Sequence, residues 1–116
     1  MTQPDALFSE DDRRHMHRAL DLARSAMYRT SPNPRVGCVL VRDGMVLGEG
    51  ATQAAGLDHA EVQAVKQAWE RGHALQGATA YVTLEPCAHH GRTPPCADLL
   101  ATQGIRRVVA ALADHN

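Results

Sequence analysis

The chain has 116 residues, enough for one folded domain and too few for two. Its formal net charge of −1, with no basic face implied, argues against nucleic-acid binding. No apolar run approaches the roughly 20 residues of a membrane span. Three cysteines behind a polar, acidic amino terminus indicate a reducing, cytoplasmic setting rather than a disulfide framework.

The first elements in the chain are a helix and a rigid loop. Residues 1–8 are expected to be a flexible lead. Ser9 can cap free backbone N–H groups, and the three acids that follow it suit the positive end of a helix dipole. Apolar residues at helical spacing predict that helix one runs from Glu10 to about Tyr28. Residues 31–34, Ser-Pro-Asn-Pro, cannot continue a helix and predict a loop that holds Asn33 in a fixed direction.

A hairpin follows. Residues 36–41 form a run rich in β-branched and apolar residues, and Asp43 and Gly44 are a strong signal for a tight turn. Residues 45–50 are the returning strand, and 51–58 are a loop.

The second half alternates helix and strand. Helix two is predicted to begin at His59 and end at Gly72, with an apolar stripe formed by Ala60, Ala64, Val65, Ala68 and Trp69. A third strand (78–84), a third helix (Pro95 to Gln103) and a fourth strand (105–112) follow. Because helices that join strands imply right-handed parallel crossovers, the pattern predicts an α/β fold. The expected architecture is a three-layer α/β/α sandwich, with an antiparallel first hairpin and strands three and four parallel.

Three side chains have the chemistry of a catalytic zinc site. His59, Cys87 and Cys96 supply one imidazole and two thiols, and three protein ligands leave a fourth tetrahedral position for water. All three are expected at helix N-termini, where the dipole favours thiolate over thiol. Glu61 lies two residues after His59 on a different helix face, and is the candidate proton carrier.

The remaining cysteine and histidines have simpler interpretations. Cys38 lies in the middle of a strand between apolar residues, and is predicted to be a small buried residue rather than a fourth ligand. Four histidines outside the motifs are predicted to be surface residues: His15, His17, His73 and His115.

Three stretches carry a family resemblance: residues 31–37 (Ser-Pro-Asn-Pro-Arg-Val-Gly), 59–62 (His-Ala-Glu-Val) and 82–96 (Val-Thr-Leu-Glu-Pro-Cys-Ala-His-His-Gly-Arg-Thr-Pro-Pro-Cys). Together they resemble the pyrimidine deaminase of riboflavin biosynthesis, the amino-terminal half of a bifunctional deaminase/reductase in the cytidine deaminase-like superfamily. Zinc deaminases of this superfamily share H-x-E and P-C-x-x-C motifs. The eight residues between the two cysteines here are typical of the riboflavin branch.

The resemblance implies a function and a site. Residues 9–116 would form a zinc-dependent deaminase domain, an aminohydrolase acting on a cyclic amidine. The substrate would be 2,5-diamino-6-(5-phosphoribosylamino)pyrimidin-4-one, a small phosphorylated pyrimidine. Zn²⁺ would be held by His59, Cys87 and Cys96, and Glu61 would carry protons. The substrate would be contacted by Asn33, Thr52, His89, Arg92 and Thr93.

The sequence departs from the family pattern in three places. Thr52 stands where the family has a substrate-contacting histidine. Gln63 stands where the family usually has a histidine. The sequence also ends at Asn116, before the family's last helix and strand and its reductase, so a fragment, a minimal stand-alone deaminase and a divergent paralogue are all open interpretations. Two alternatives therefore stay open: a zinc deaminase of another base, nucleoside or nucleotide, or an inactive truncated zinc module. An unfinished sheet edge also leaves self-association into a homo-oligomer open.

Overall fold

The computed structural model describes residues 9–25, 36–51, 59–84 and 97–112. The helices and strands in these ranges are α1 (Glu10–Ser25), β1 (Gly37–Arg42), β2 (Met45–Ala51), α2 (Ala60–Glu70), β3 (Thr79–Leu84), α3 (Ala97–Thr102) and β4 (Arg107–Leu112). The lead at 1–8, the loop at 31–34 and the cysteine loop lie outside the described residues. Within those ranges, no helix combines the length and apolar character needed to cross a bilayer.

The four strands form one mixed sheet in the order β2-β1-β3-β4. β1 is antiparallel to both of its neighbours, with Gly37 opposite Ala51 on β2 and Cys38 opposite Val82 on β3. β3 and β4 are parallel. The predicted antiparallel hairpin and parallel later strands are therefore confirmed, and β2, β3 and β4 all point the same way.

Helices cover both faces of this sheet. On one face, α1 packs through Ala19 onto a cluster of Val39, Val41, Tyr81 and Val109. On the other face, α2 and α3 pack onto a second cluster that includes Cys38, Leu40, Leu47, Ala60, Ala64, Ala68, Ala80, Val82 and Leu100. Alternate residues of a strand point to opposite faces of the sheet and so contribute to different clusters. The three-layer α/β/α sandwich is confirmed, and its core is aliphatic and rich in alanine.

The local signals in the sequence correspond to observed geometry. The Ser9 hydroxyl accepts from the Asp12 amide and the Asp12 carboxylate accepts from the Ser9 amide, both at 3.0 Å, so the two residues cap α1 reciprocally. Asp43 and Gly44 have φ of 52° and 80°, the positive values that a two-residue hairpin turn needs.

Helix α2 lies unusually close to β2 because two glycines of that strand have no side chain. A Cβ added at Gly48 would lie 2.2 Å from the carbonyl oxygen of Ala64, and one at Gly50 would lie 2.1 Å from that of Ala60. Both distances are far inside van der Waals contact. The glycines therefore set the distance between the helix and the sheet, and with it the position of the helix start.

Two glutamines of α2 cover the outer edge of β2. The Gln67 side-chain oxygen accepts from the Glu49 amide at 2.9 Å, and the Gln63 side-chain oxygen accepts from the Ala51 amide at 3.5 Å. An edge strand with paired amides offers less to a foreign strand. Gln63, one of the departures from the family pattern, thus has a structural role in this chain.

Two predictions about single side chains are wrong. His15 is buried rather than exposed, with its ring 5.2 Å from that of Tyr81, because it shares the sheet-facing stripe of α1 with Asp12 and Ala19. Trp69 was placed in the apolar stripe of α2 but is 50% exposed. The narrow gap between α2 and β2 accommodates alanine methyl groups and leaves no room for an indole ring.

Candidate functional site

The candidate site lies at one end of the sheet. Parallel strands β3 and β4 end there at Leu84 and Leu112, and β2 ends there at Ala51. Helix α2 begins at the same end, because the contact of Gly50 with Ala60 lies beside the end of β2. Ligands of open α/β sheets bind at the carboxyl ends of the strands. The H-x-E motif is therefore at the end of the sheet where a site is expected.

His59 is the N-cap residue of α2, as predicted. Its backbone is extended, with φ of −69° and ψ of 162°, and its carbonyl accepts the first helical bond from the Gln63 amide at 3.0 Å. Its side chain makes no capping hydrogen bond and is exposed. The imidazole is therefore free of any capping role and is available to a ligand.

Glu61 lies in the first turn of α2 and is only 8% exposed. Its neighbours Ala60 and Ala64 are also buried, against β2. The exposed imidazole and the largely buried carboxylate thus leave the same helix start in different directions, as the spacing of two residues predicts. This arrangement allows one group to hold a ligand while the other approaches it from the protein side.

Cys38 is fully buried in the cluster between the sheet and α2, and it forms no disulfide. The prediction that it is a small buried residue is confirmed. Its exclusion from the metal site stays a prediction.

The remaining predicted site residues lie outside the described residues: Asn33, Thr52, Cys87, His89, Arg92, Thr93 and Cys96. In the described part of the chain, no three His, Cys, Asp or Glu side chains are grouped closely enough to hold a metal. Of the predicted site residues, the structure therefore describes His59 and Glu61. The two other predicted metal ligands, Cys87 and Cys96, stay predictions.

One hydrogen bond at this end was not predicted from the sequence. The Thr83 hydroxyl oxygen accepts a buried hydrogen bond from the Gly37 amide at 2.9 Å. Thr83 is fully buried. A threonine inside an apolar strand, one residue before the Leu-Glu-Pro-Cys motif, is the only sequence signal that could have indicated it.

The opposite end of the sheet is closed by a polar network centred on Asp12. Its carboxylate accepts from the Tyr81 hydroxyl and from both terminal nitrogens of Arg107, at 3.0 and 2.9 Å. The hydrogen bonds from Arg107 hold the pKa of Asp12 well below its usual range. Burial, together with the bond to Asp12, raises the pKa of Tyr81 to about 12. Burial also lowers the pKa of His15, which packs on Tyr81.

A cleft of about 480 Å³ lies beside this network. It is lined by residues that include Arg42, Asp43, Tyr81, Arg106 and Arg107, and neither His59 nor Glu61 borders it. This cleft is therefore separate from the described residues of the candidate site.

Comparison with known proteins agrees with this geometry. Residues 9–112 match the family described as the cytidine and deoxycytidylate deaminase zinc-binding region. The riboflavin biosynthesis protein RibD of Escherichia coli is 56% identical over 90% of this chain and 28% of its own length. The diaminohydroxyphosphoribosylamino-pyrimidine deaminase of Buchnera aphidicola is 48% identical over 88% of this chain and 67% of its own.

A solved structure of RibD from Acinetobacter baumannii superposes with a TM-score of 0.73 at 52% identity, covering 90% of this chain and 29% of that one. The chain thus spans little more than a quarter of the RibD proteins it matches, and about two thirds of the Buchnera deaminase. The chain belongs to the cytidine and deoxycytidylate deaminase family, in the branch of the pyrimidine deaminases of riboflavin biosynthesis.

Proposed function

We propose that this chain is a zinc-dependent hydrolytic deaminase of riboflavin biosynthesis. Its substrate is 2,5-diamino-6-(5-phosphoribosylamino)pyrimidin-4-one, whose ring amine is replaced by a carbonyl oxygen with release of ammonia. The observation that carries the proposal is the start of α2, where an exposed imidazole without a capping role and a largely buried carboxylate lie two residues apart. The substrate is supported by relatives about half identical over most of the chain.

The donor set of this chain fits a zinc ion. His59, Cys87 and Cys96 would hold it, and two thiolates with a neutral imidazole are ligands that zinc accepts readily. The observed exposure of the His59 side chain, with its imidazole unused in capping, satisfies what a ligand at this position requires. When bound, zinc would lower the pKa of a water molecule and so supply a nucleophile near neutral pH.

Glu61 performs the proton transfers. Its carboxylate takes a proton from the attacking water and delivers it to a ring nitrogen of the substrate. It then takes the proton of the hydroxyl group just added to the ring carbon and transfers it to the amine, so that the carbonyl forms as the amine leaves as ammonia. A positioned carboxylate used in this way typically contributes about 10²–10⁴-fold to the rate.

Side chains from three segments would bind the substrate. Asn33, His89 and Thr93 offer donors and acceptors to the pyrimidine, and the planar fork of Arg92 suits the phosphate. Thr52 replaces a longer histidine of the family, so one hydrogen bond is lost. We expect weaker binding of the same substrate, by roughly one to two decades, since an unpaired buried partner costs about 1–3 kcal/mol.

The experiment that tests this function combines metal analysis with a substrate panel. We expect about one zinc per chain, retained in Cys38→Ser and lost in Cys87→Ser and Cys96→Ser. Ammonia release should be fastest with the phosphorylated diaminopyrimidine, and Arg92→Ala should raise its KM more than that of the dephosphorylated form.

Three outcomes would contradict the proposal. Equal zinc loss from Cys38→Ser and Cys96→Ser would overturn the ligand assignment. Faster turnover of cytidine or a free base would favour a zinc deaminase of different specificity, and zinc binding without turnover of any substrate would favour an inactive zinc module.

A further inference from the structure

The hydrogen bond between Thr83 and Gly37 joins β3 and β1 at the point where the two strands separate. The paired residues of β1 and β3 run from Val41 opposite Thr79 to Cys38 opposite Val82. One residue further on, the Gly37 amide donates to the Thr83 side chain at 2.9 Å, and the bond is buried. A side-chain hydroxyl thus extends the connection beyond the last backbone pair.

Gly37 is held from its other side by α1. A Cβ at Gly37 would lie 1.9 Å from the carbonyl oxygen of Ala19 and 3.0 Å from the amide nitrogen of Ala23. The start of β1 therefore packs directly against the backbone of α1. With Thr83 on one side and α1 on the other, the Gly37 amide has little freedom to move.

The chain on either side of this bond leads to proposed site residues. Cys87 follows Thr83 by four positions, and Asn33 precedes Gly37 by four. Resting on the proposed function, we infer that Thr83 is a positioning residue. It fixes the separation of the two strand ends from which the metal-binding and substrate-binding segments depart.

The chemistry of the side chain explains why a hydroxyl is needed there. Valine has the shape of threonine but cannot accept a hydrogen bond, so Thr83→Val leaves a buried amide without its partner. The strand ends can regain water for that amide by moving apart. Thr83→Ser keeps the oxygen and removes only a methyl group.

The test compares these variants in the zinc-loaded chain of 116 residues. Thr83→Val should raise KM about tenfold, and zinc transfer to a chelator should become faster by about the same factor. A tenfold change lies within the free-energy cost of one lost buried hydrogen bond. Amide hydrogen exchange should become faster in peptides covering residues 29–36 and 85–92. Thr83→Ser should restore all three properties to near the wild-type values.

Val41→Ala is the matched control. Val41 lies on the same strand and the same face as Gly37, is 6% exposed, and lies at the opposite end of β1. Its truncation should lower the melting temperature without changing KM, zinc release or exchange in the two peptides. If Thr83→Val does not fold, Thr83→Ser and Thr83→Ala decide the question, since they differ only by the hydroxyl group.

The results separate this inference from the proposed function. If Thr83→Val changes KM, zinc release and exchange no more than Val41→Ala does, the positioning role is overturned. If the wild-type chain fails to deaminate the diaminopyrimidine, the proposed function fails. Hydrogen exchange, which needs no substrate, then still decides whether Thr83 fixes the two segments.

Discussion

The two ends of the sheet use polar side chains in opposite ways. At the end where β3 and β4 begin, Asp12 joins α1 to both strands through Tyr81 and Arg107. Nearby, Arg42 donates to the carbonyls of Ala74 and Gln76. These hydrogen bonds join separate elements, so their main effect is to hold the layers together; His15 Nε2, buried beside Tyr81, has no hydrogen-bond partner among the described residues.

At the end where β3 and β4 stop, Thr83 and Gln63 accept hydrogen bonds from backbone amides, but the His59 side chain makes no capping hydrogen bond. His59 caps α2 with its backbone alone, and its imidazole is exposed. On the proposed function, one end of this small domain contributes stability and the other carries the chemistry. Substitutions at the two ends should therefore affect different measurements.

The largest expected effect is that of Glu61→Gln on catalysis. The amide keeps the shape of the side chain but cannot accept the proton, so ammonia release should fall by about 10³-fold or more. Zinc content and melting temperature should stay close to those of the wild type. Glu70→Gln, at the exposed end of the same helix, is the control, and more than about a tenth of the wild-type rate in Glu61→Gln would rule out the proposed role.

A smaller effect, on stability alone, is expected for Asp12→Ala. The change removes the carboxylate that accepts from the buried Tyr81 hydroxyl and from Arg107. Because the Arg107 side chain is 42% exposed, the cost should be about 2–3 kcal/mol, below that of breaking a fully buried pair. Urea unfolding should detect this loss, while the rate per folded molecule stays unchanged.

Asp11→Ala is the matched control for that variant. Asp11 pairs with Arg14 at 2.7 Å on the surface, where both side chains are more than half exposed, so its loss should cost under about 0.5 kcal/mol. Equal losses of stability from the two variants would contradict the importance of the network.

The contribution of Asp12 to the free energy of unfolding also depends on pH. It should be present above pH 3.8 and disappear as the pH falls, since the pKa of Asp12 is depressed in the folded state.

The smallest effect concerns alkaline pH. Folding raises the pKa of Tyr81 from 10.0 to about 12, so the fold favours the neutral phenol. That contribution is present below pH 10 and is lost as the pH rises through 12. Tyr81→Phe should cost about 1–2 kcal/mol at pH 7, and unfolding curves should show the gap from wild type closing between pH 10 and 12. A gap that is constant with pH would contradict the assignment.

The sequence predicted those features that depend on neighbours along the chain. The turn at Asp43 and Gly44, the cap at Ser9 and the start of α2 at His59 all follow from local rules, and all are confirmed. The antiparallel hairpin, the parallel pairing of β3 and β4 and the two-sided covering of the sheet also followed, because helical crossovers restrict how strands can be arranged. The strand order was not predicted.

Features that depend on partners distant in sequence were missed or mistaken. His15 is buried because it meets Tyr81, 66 positions later, and the role of Thr83 depends on Gly37, 46 positions earlier. The hydrophobic periodicity of a sequence does not show which distant residues will come into contact. The metal ligands Cys87 and Cys96 and the substrate contacts stay predictions, because they lie outside the described residues.

The glycines of β2 have a consequence for how this sequence can diverge. At Gly48 and Gly50 any side chain would collide with helix backbone, which cannot repack as a flexible side chain does. Random mutagenesis followed by selection for folding should therefore leave both positions nearly invariant. A substitution at Gly50 should survive only together with a displacement of the start of α2. His59, the proposed zinc ligand, directly precedes Ala60, so moving the start of α2 would also move His59. Selection for activity should therefore remove substitutions at Gly50 even where the fold tolerates them.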